Sequence, residues 1–261
     1  MPRVRTSAGI STGYEEAGGG NATPIVFLHG VGSDKSVWHP QLAHFGQKRR
    51  AIAFDYPGYG DSDPAPEGTT RDDYAASILS GLTELGVEHA HICGLSLGGV
   101  VAIAIHHAAP DRCASLVLAD SFAVHPDGHA IYQRSLAGSR DLPAMAEARV
   151  DFLLGQPADP EVRHEVVETM SRIDPNAYRM GAEAVWLADQ RDRAGAILVP
   201  VLIVVGDRDL ITPVDLSNEL VDIVPDARLQ VIAGAGHLGN LETPAQFNYL
   251  VEDFMIGVER G

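Results

Sequence analysis

The feature that most constrains the fold of this sequence is a glycine-flanked serine between two apolar runs. Within residues 91–101, Gly94, Ser96 and Gly98 form the pattern G-x-S-x-G. This order predicts a strand, a tight turn and a helix, because glycine on either side of the serine relieves crowding between the two elements. Ser96 would then project above a sheet, and the N–H of Leu97 would lie at the start of a helix.

Short apolar runs alternate with helical patterns along most of the chain. Continuous apolarity predicts strands that are covered on both faces, and their alternation with helices predicts a mostly parallel, doubly wound α/β sheet. Residues 3–17 predict an edge hairpin, and a final helix is expected to begin at Pro244. The other predicted strands lie at residues 24–28, 51–54, 115–119, 199–205 and 228–232, with helices at 37–47, 71–86 and 214–223.

The strand rhythm is interrupted between Ser121 and Ala196. This segment has helical spacings broken by five prolines and contains no convincing strand. We therefore predict one α/β core domain, made of residues 1–120 and 197–261, with a helical lid inserted at residues 121–196. A length of 261 residues suits a single domain with such an insertion.

The formal net charge of −16 argues against nucleic acid or an anionic membrane as the main partner, so a small-molecule substrate is expected. Two cysteines outside any C-x-x-C spacing predict no disulfide framework, and no residue spacing predicts a metal site. The longest apolar stretch, Val100–Ile105, is too short to span a bilayer, and residues 1–6 lack an apolar signal region. We expect a cytoplasmic protein, and the sequence favours neither a monomer nor a homodimer.

A reactive serine needs a base to take its proton and a carboxylate to orient that base. His237 is the predicted base, since it follows the last strand in a glycine-rich loop; the alternative is an exposed loop histidine. Two candidate acids, Asp207 and Asp209, follow the strand at residues 199–205. We favour Asp209, and expect Asp207 to make turn hydrogen bonds or an arginine pair.

The tetrahedral intermediate of such a reaction also needs two hydrogen-bond donors for its oxyanion. The predicted donors are the backbone N–H groups of Val31 and Leu97, each placed directly after a strand. His29 precedes Val31 in the same turn. It is expected to brace that turn by hydrogen bonding rather than to transfer a proton.

Fewer residues point to the substrate pocket. Trp38 and Trp186 are candidate pocket walls, with ordinary core packing as the alternative. Arginines of the predicted lid, including Arg134, Arg140 and Arg149, are suited to bind a substrate carboxylate through two hydrogen bonds, or else face water. The sequence alone does not choose among them.

Four motifs taken in order resemble the α/β-hydrolase family, over about residues 10–255. The order of serine, acid and histidine along the chain is the arrangement of that family. The resemblance implies an eight-stranded, mostly parallel sheet and hydrolysis without a cofactor. The motifs are His29-Gly30, Gly94-x-Ser96-x-Gly98-Gly99, Gly206-x-x-Asp209-x-x-x-Pro213 and His237-x-x-x-Leu241-Glu242-x-Pro244.

Within that family, the sequence is most similar to the 3-oxoadipate enol-lactonases and related small esterases. The similarity lies in residues 93–99, 36–38 and 172–178. Pro57 departs from it, because many such members carry an arginine at the position before the glycine that matches Gly58. The resemblance implies a serine hydrolase that cleaves a small carboxylic ester or lactone through an acyl-enzyme on Ser96. Two alternatives stay open: hydrolysis of a carbon–carbon bond in a ring-cleavage product, and a slow-turnover ligand receptor that retains the same triad.

Overall fold

The computed structural model of the chain describes residues 2–7 and 9–261, so that Met1 and Ala8, the latter within the predicted hairpin, lie outside the described residues. The strands are β1 (Arg3–Arg5), β2 (Ser11–Ala17), β3 (Ile25–Leu28), β4 (Ala51–Phe54), β5 (Ala90–Leu95), β6 (Cys113–Ala119), β7 (Val201–Gly206) and β8 (Ala227–Ile232). The α-helices are α1 (His39–Phe45), α2 (Arg71–Glu84), α3 (Leu97–Ala108), α4 (Gly128–Gly138), α5 (Leu142–Leu153), α6 (Pro160–Ser171), α7 (Pro175–Trp186), α8 (Arg191–Gly195), α9 (Val214–Ile223), α10 (Gly239–Glu242) and α11 (Pro244–Arg260).

The strands form one sheet in the order β1-β2-β4-β3-β5-β6-β7-β8. β2 pairs antiparallel with β1 and with β4, and every other neighbouring pair in the sheet is parallel. This topology confirms the predicted eight-stranded, mostly parallel α/β sheet and its antiparallel edge hairpin. The terminal helix begins at Pro244, as predicted.

The apolar runs form the buried centre of the sheet. Every residue of β3, β4, β5 and β7 is buried, as expected for parallel strands with helices packed on both faces. α2 begins with a capping box: the Thr70 hydroxyl accepts the Asp73 N–H, and the Asp73 carboxylate accepts the Thr70 N–H. Within the described part of the chain, none of the helices is both long and apolar enough to cross a membrane.

The strand order places the loops after β3 and β5 side by side. β3 lies between β4 and β5, so the strand that follows β3 is added on one side of it and the later strands are added on the other side. A crevice forms at such a reversal, outside the carboxyl ends of the strands. The turn after β3 and the serine after β5 meet there, and a Cβ built on Gly30 would lie 3.5 Å from the Ser96 Cβ.

Residues 121–196, which we call the helical insertion, connect β6 to β7 and contain α4 to α8. One of its helices, α7, contacts both α2 and α3 of the core. At the carboxyl edge of the sheet, the carbonyl oxygen of Leu153 accepts a hydrogen bond from the His237 N–H at 2.7 Å. The helical insertion is therefore anchored beside the loop that follows β8, while its role as a lid stays a prediction.

Candidate active site

Ser96 lies in the turn between β5 and α3 with φ 54° and ψ −112°. A side chain is rarely found at this positive φ, and such strain persists only where the surroundings impose it. A Cβ on Gly94 would lie 2.1 Å from the Gly98 carbonyl oxygen, and one on Gly98 would lie 2.1 Å from the Leu28 carbonyl oxygen. Both positions therefore require glycine, because strand and helix approach each other too closely for any side chain.

His237 and Asp209 form a buried pair at the same edge of the sheet. His237 Nδ1 lies 2.7 Å from Asp209 Oδ2, and the Thr212 hydroxyl donates to the same oxygen at 2.6 Å. Asp209 Oδ1 accepts the N–H groups of Ile211 and Thr212 at 2.7 and 2.9 Å. With its carboxylate fixed by these donors, Asp209 holds the proton of His237 on Nδ1 and leaves Nε2 as the basic nitrogen.

The charge state of Asp209 follows from its surroundings. Burial by itself raises the pKa of this carboxyl, but attraction to His237 and hydrogen bonds from His237 and Thr212 outweigh that effect. Together they lower the pKa of Asp209 to about 2. Asp209 is consequently ionised at neutral pH and is able to stabilise a positively charged imidazole.

The neighbouring carboxylate, Asp207, has a different position. Its side chain is exposed, and its Oδ1 accepts the Gly234 N–H at 2.7 Å. This hydrogen bond ties the loop after β7 to the loop after β8, whereas the sequence predicted hydrogen bonds within the turn or an arginine pair. Of the two candidate acids, the structure places Asp209 beside His237.

A cavity opens beside Ser96; together with the open solvent at its mouth, its empty space is about 660 Å³. Ser96, His237, Val31 and Trp186 all line it, and most of its other walls are apolar. Within the described residues, no hydrogen bond joins the Ser96 hydroxyl to the His237 ring; such contacts often tighten only around a substrate. Trp38 is absent from the described lining, because its indole is fully buried and stacks on Phe27.

The turn after β3 is held in place by a neutral histidine. His29 is fully buried, its Nδ1 lies 2.8 Å from the Gly30 carbonyl oxygen, and burial lowers its pKa. The hydrogen bonds of the described residues include none donated by the N–H groups of Val31 or Leu97. Neither group therefore has an acceptor among the described residues, and Val31 lines the cavity. His29 braces the turn as predicted.

Asp120, directly after β6, is a site residue to which the sequence analysis assigned no role. It is fully buried with φ 45°, and its Oδ1 accepts the Gly206 N–H at 3.0 Å. Burial first, and then the charge of Asp209, raise its pKa well above the usual range. An aspartate directly after a buried parallel strand is the signal that could have identified it.

Asp120, Asp209 and His237 also form a possible ligand set for a metal, since one ligand atom of each lies within 4.8 Å of the others. The geometry does not suit an ion. His237 Nδ1 and Asp209 Oδ2 are joined by a hydrogen bond of 2.7 Å, so Nδ1 carries a proton and has no lone pair to offer a metal.

Glu242 fixes the loop that carries His237. Its carboxylate accepts the N–H groups of Gly236 and Gly155 at 2.9 and 2.6 Å. Gly236 directly precedes His237, whereas Gly155 belongs to the helical insertion. The Glu242 side chain thus holds the loop of His237 and the helical insertion together. The motif that contains Glu242 was visible in the sequence, but its hydrogen bonds to distant segments were not.

Comparison with known proteins agrees with this architecture. The family described as "Alpha/beta hydrolase family" matches residues 25–248. The 3-oxoadipate enol-lactonase 1 of Acinetobacter baylyi is 28% identical over 245 residues, which cover 92% of this chain and 91% of the relative. The solved enol-lactonase from Burkholderia xenovorans LB400 is 27% identical with a TM-score of 0.90, covering 98% of this chain and 100% of that one.

A second solved structure, the malate-bound thermophilic esterase from Thermogutta terrifontis, is 26% identical with a TM-score of 0.90 and covers 98% of both chains. The family match runs from β3 into α11, so it includes the helical insertion and the serine, aspartate and histidine of the site. They confirm the resemblance found in the sequence. The chain belongs to the alpha/beta hydrolase family.

Proposed function

We propose that this hydrolase cleaves a small carboxylic ester or lactone through an acyl-enzyme on Ser96. One observation carries the proposal: His237, paired with the buried Asp209 at 2.7 Å, lines the same cavity as a serine held on a strained turn. A nucleophile, a base and an orienting carboxylate are the three groups that acyl transfer requires. The enol-lactonase and esterase relatives support ester-bond chemistry.

In the first half of the reaction, the Ser96 oxygen forms a bond to the carbonyl carbon while His237 Nε2 takes the hydroxyl proton. The carbonyl oxygen becomes an oxyanion, which accepts hydrogen bonds from the N–H groups of Val31 and Leu97. Collapse of this intermediate breaks the bond to the alcohol oxygen, and His237 returns the proton to that oxygen. Asp209 stays ionised and stabilises the imidazolium throughout.

In the second half, water attacks the acyl carbon and gives one proton to His237. The bond to the Ser96 oxygen breaks, His237 returns the proton to that oxygen, and the carboxylic acid leaves. For a lactone, acid and alcohol are parts of one product. The cycle regenerates the enzyme and consumes one water.

The helical insertion is proposed to act as a lid. Leu153, Met170 and Trp186 of this segment line the same cavity as Ser96. Apolar walls from the insertion exclude water from the reacting carbonyl and limit the substrate to a small one. The predicted division into a core of residues 1–120 and 197–261 and a lid of residues 121–196 is part of this proposal.

A turnover screen tests the proposed function. Purified protein is assayed with short-chain esters, small lactones and coloured ring-cleavage products, with the Ser96→Ala variant as control. We expect Ser96-dependent turnover of esters or lactones. Turnover of ring-cleavage products alone would replace the proposal by carbon–carbon bond hydrolysis, and a stoichiometric burst without turnover would replace it by a ligand receptor.

A further inference from the structure

A buried tyrosine joins the helical insertion to the turn after β3. Tyr59 belongs to the loop after β4 and is fully buried. Its ring lies 5.0 Å from the ring of His29, the residue that begins the turn. The rings of Tyr56 and Tyr74 lie edge-on to Tyr59, at 6.0 and 6.5 Å. These aromatic contacts fix the direction of the Tyr59 side chain, so that its hydroxyl has a defined position.

The hydroxyl of Tyr59 binds the backbone of α7. It donates a hydrogen bond to the carbonyl oxygen of Ala177 at 3.1 Å. Gly58, directly before Tyr59, is also close to this helix, because a Cβ added to Gly58 would lie 2.9 Å from the Ala177 Cβ. The loop after β4 and the first turn of α7 are therefore in direct contact, and the hydrogen bond fixes their relative position.

Gly181, one turn further along α7, brings the helix against both Tyr59 and Val31. A Cβ added to Gly181 would lie 2.1 Å from the Tyr59 hydroxyl oxygen and 3.1 Å from Val31 Cγ2. Glycine inside a helix costs about 0.5–1 kcal/mol relative to alanine. The close approach at this position explains why the helix carries it. The α7 backbone, the Tyr59 hydroxyl and the Val31 side chain thus meet at one point.

Helix α7 also forms part of the cavity wall. Tyr178 and Trp186 of α7 line the cavity, and the Tyr178 hydroxyl accepts a hydrogen bond from Arg149 of α5 at 3.1 Å. Tyr59 is absent from the described lining. An effect of Tyr59 on the reaction therefore has to pass through α7 and the turn that carries Val31.

We propose that Tyr59 is a positioning residue: its hydroxyl seats α7 against the turn after β3 and thereby holds the Val31 N–H where the oxyanion forms. Groups in a catalytic site have to lie within about 0.5 Å of their productive positions. A donor displaced further than this stabilises the developing charge less. This inference rests on the proposed function and deepens it by naming a residue that sets the geometry of the same site.

Tyr59→Phe tests the inference, because it removes the hydroxyl and keeps the ring. Tyr132→Phe is the matched control: the Tyr132 hydroxyl also binds α7, donating to the Glu183 carboxylate at 3.1 Å, but Tyr132 is absent from the described lining of the cavity. Hydrolysis of p-nitrophenyl acetate gives kcat and KM for each protein. Urea unfolding gives their stabilities.

A second probe, 1,1,1-trifluoroacetone, reports on the oxyanion donors directly. Its carbonyl carbon forms a bond to the Ser96 oxygen, the hydroxyl proton passes to His237, and the carbonyl oxygen becomes an oxyanion. Fluorine NMR measures the Kd of this adduct without any turnover. Ser96→Ala should form no adduct, which shows that the signal comes from the active site.

Tyr59→Phe should lower kcat by about 10-fold and weaken ketone binding by a similar factor, with KM changed by less than about 2-fold. The transition state and the adduct carry the oxyanion, whereas the bound ester does not. The loss should be smaller than the roughly 10²-fold to 10³-fold cost of removing a donor outright. Tyr132→Phe should match wild type in kcat, KM and ketone affinity.

Gly181→Ala tests the same contact from the side of the helix. The added methyl group should displace Tyr59 and Val31 and lower kcat at least as much as Tyr59→Phe does. Since Tyr59→Phe removes the oxygen that lies 2.1 Å from the new methyl group, Gly181→Ala should cost less in the Tyr59→Phe background than in wild type. Equal costs in the two backgrounds would contradict the inference. If Gly181→Ala does not fold, Tyr59→Phe still decides.

A Tyr59→Phe variant that loses stability but keeps wild-type kcat and ketone affinity would overturn the inference, because the hydroxyl would then serve stability alone. Ser96-dependent hydrolysis would stand in that case. If wild type hydrolyses no ester, the proposed function fails separately, and the ketone affinities of wild type and Tyr59→Phe still decide the inference. Absence of the ketone adduct in wild type would contradict it.

Discussion

The Cα of Gly94 and the carbonyl oxygen of Gly98 are so close that a Cβ on Gly94 would lie 2.1 Å from that oxygen. Gly98 has little room to move away, because a Cβ on Gly98 would itself lie 2.1 Å from the Leu28 carbonyl oxygen. This contact sets the strained turn of Ser96. It links the stability of the strand–helix junction to the position of the nucleophile.

Gly94→Ala is expected to destabilise the protein by about 3 kcal/mol or more and to abolish most activity, because overpacking moves the Ser96 turn. Urea unfolding and ester turnover measure the two effects. Gly257→Ala in α11 is the matched control, since a Cβ there meets nothing within 4 Å. That change should stabilise by about 0.5–1 kcal/mol. Wild-type stability and turnover in Gly94→Ala would contradict the close contact.

Asp209→Asn should reduce kcat about 10³-fold to 10⁴-fold, because the amide no longer stabilises the imidazolium or fixes its tautomer. Asp207→Asn, which alters an exposed turn residue, should keep nearly full activity. Steady-state kinetics on one ester compare the two. Equal losses in both variants would contradict the assignment of the acid.

Asp209 should also affect acid stability. Its pKa is about 2 in the folded protein against an ordinary 3.8, so its ionised form contributes about 2 kcal/mol of stability at neutral pH. That contribution is present above pH 3.8 and is lost as the pH falls toward 2. The difference in unfolding free energy between wild type and Asp209→Asn should therefore shrink as urea unfolding is repeated from pH 6 downward. A constant difference would contradict the lowered pKa.

Asp120 has the opposite pH dependence. Since its pKa is raised, the native protein keeps a proton that the unfolded chain releases, and wild type loses stability as the pH rises above 3.8. Asp120→Asn imitates the protonated acid, keeps an acceptor for the Gly206 N–H, and should retain most activity. Relative to wild type, its stability should be higher at pH 7 than at pH 4. An inactive variant that is destabilised at both pH values would indicate a charged Asp120 instead.

Glu242→Ala should remove the shared acceptor of the Gly236 and Gly155 N–H groups. Leaving these groups unsatisfied costs about 1–3 kcal/mol, and the loosened histidine loop should lower kcat more than it raises KM. Urea unfolding and steady-state kinetics give both numbers. Glu242→Gln retains one acceptor oxygen and should recover part of each loss. A Glu242→Ala variant with wild-type kcat would show that the clamp does not position His237.

Much of this architecture follows from local sequence. Continuous apolar runs specify buried parallel strands, and Gly94 and Gly98 specify the turn, since both effects act within a few residues. Asp209 and His237 were predictable because the carboxyl ends of parallel strands share one edge of the sheet. These inferences use chain order alone.

Other site features depend on contacts between distant segments. Trp38 follows the turn after β3, but whether an indole faces a cavity or Phe27 is decided by packing. The Glu242 clamp joins residues 87 positions apart, and the partner of Arg149 lies on another helix of the insertion. Only the folded chain brings these groups together.

The most direct test of the central claim is covalent trapping of the nucleophile. Wild type and Ser96→Ala are incubated with diethyl p-nitrophenyl phosphate, and peptides are mapped by mass spectrometry. The account predicts one diethylphosphoryl group per chain on the peptide that contains Ser96, loss of ester turnover in proportion to labelling, and no label in Ser96→Ala. Label on another residue, or full ester turnover by Ser96→Ala, would contradict it.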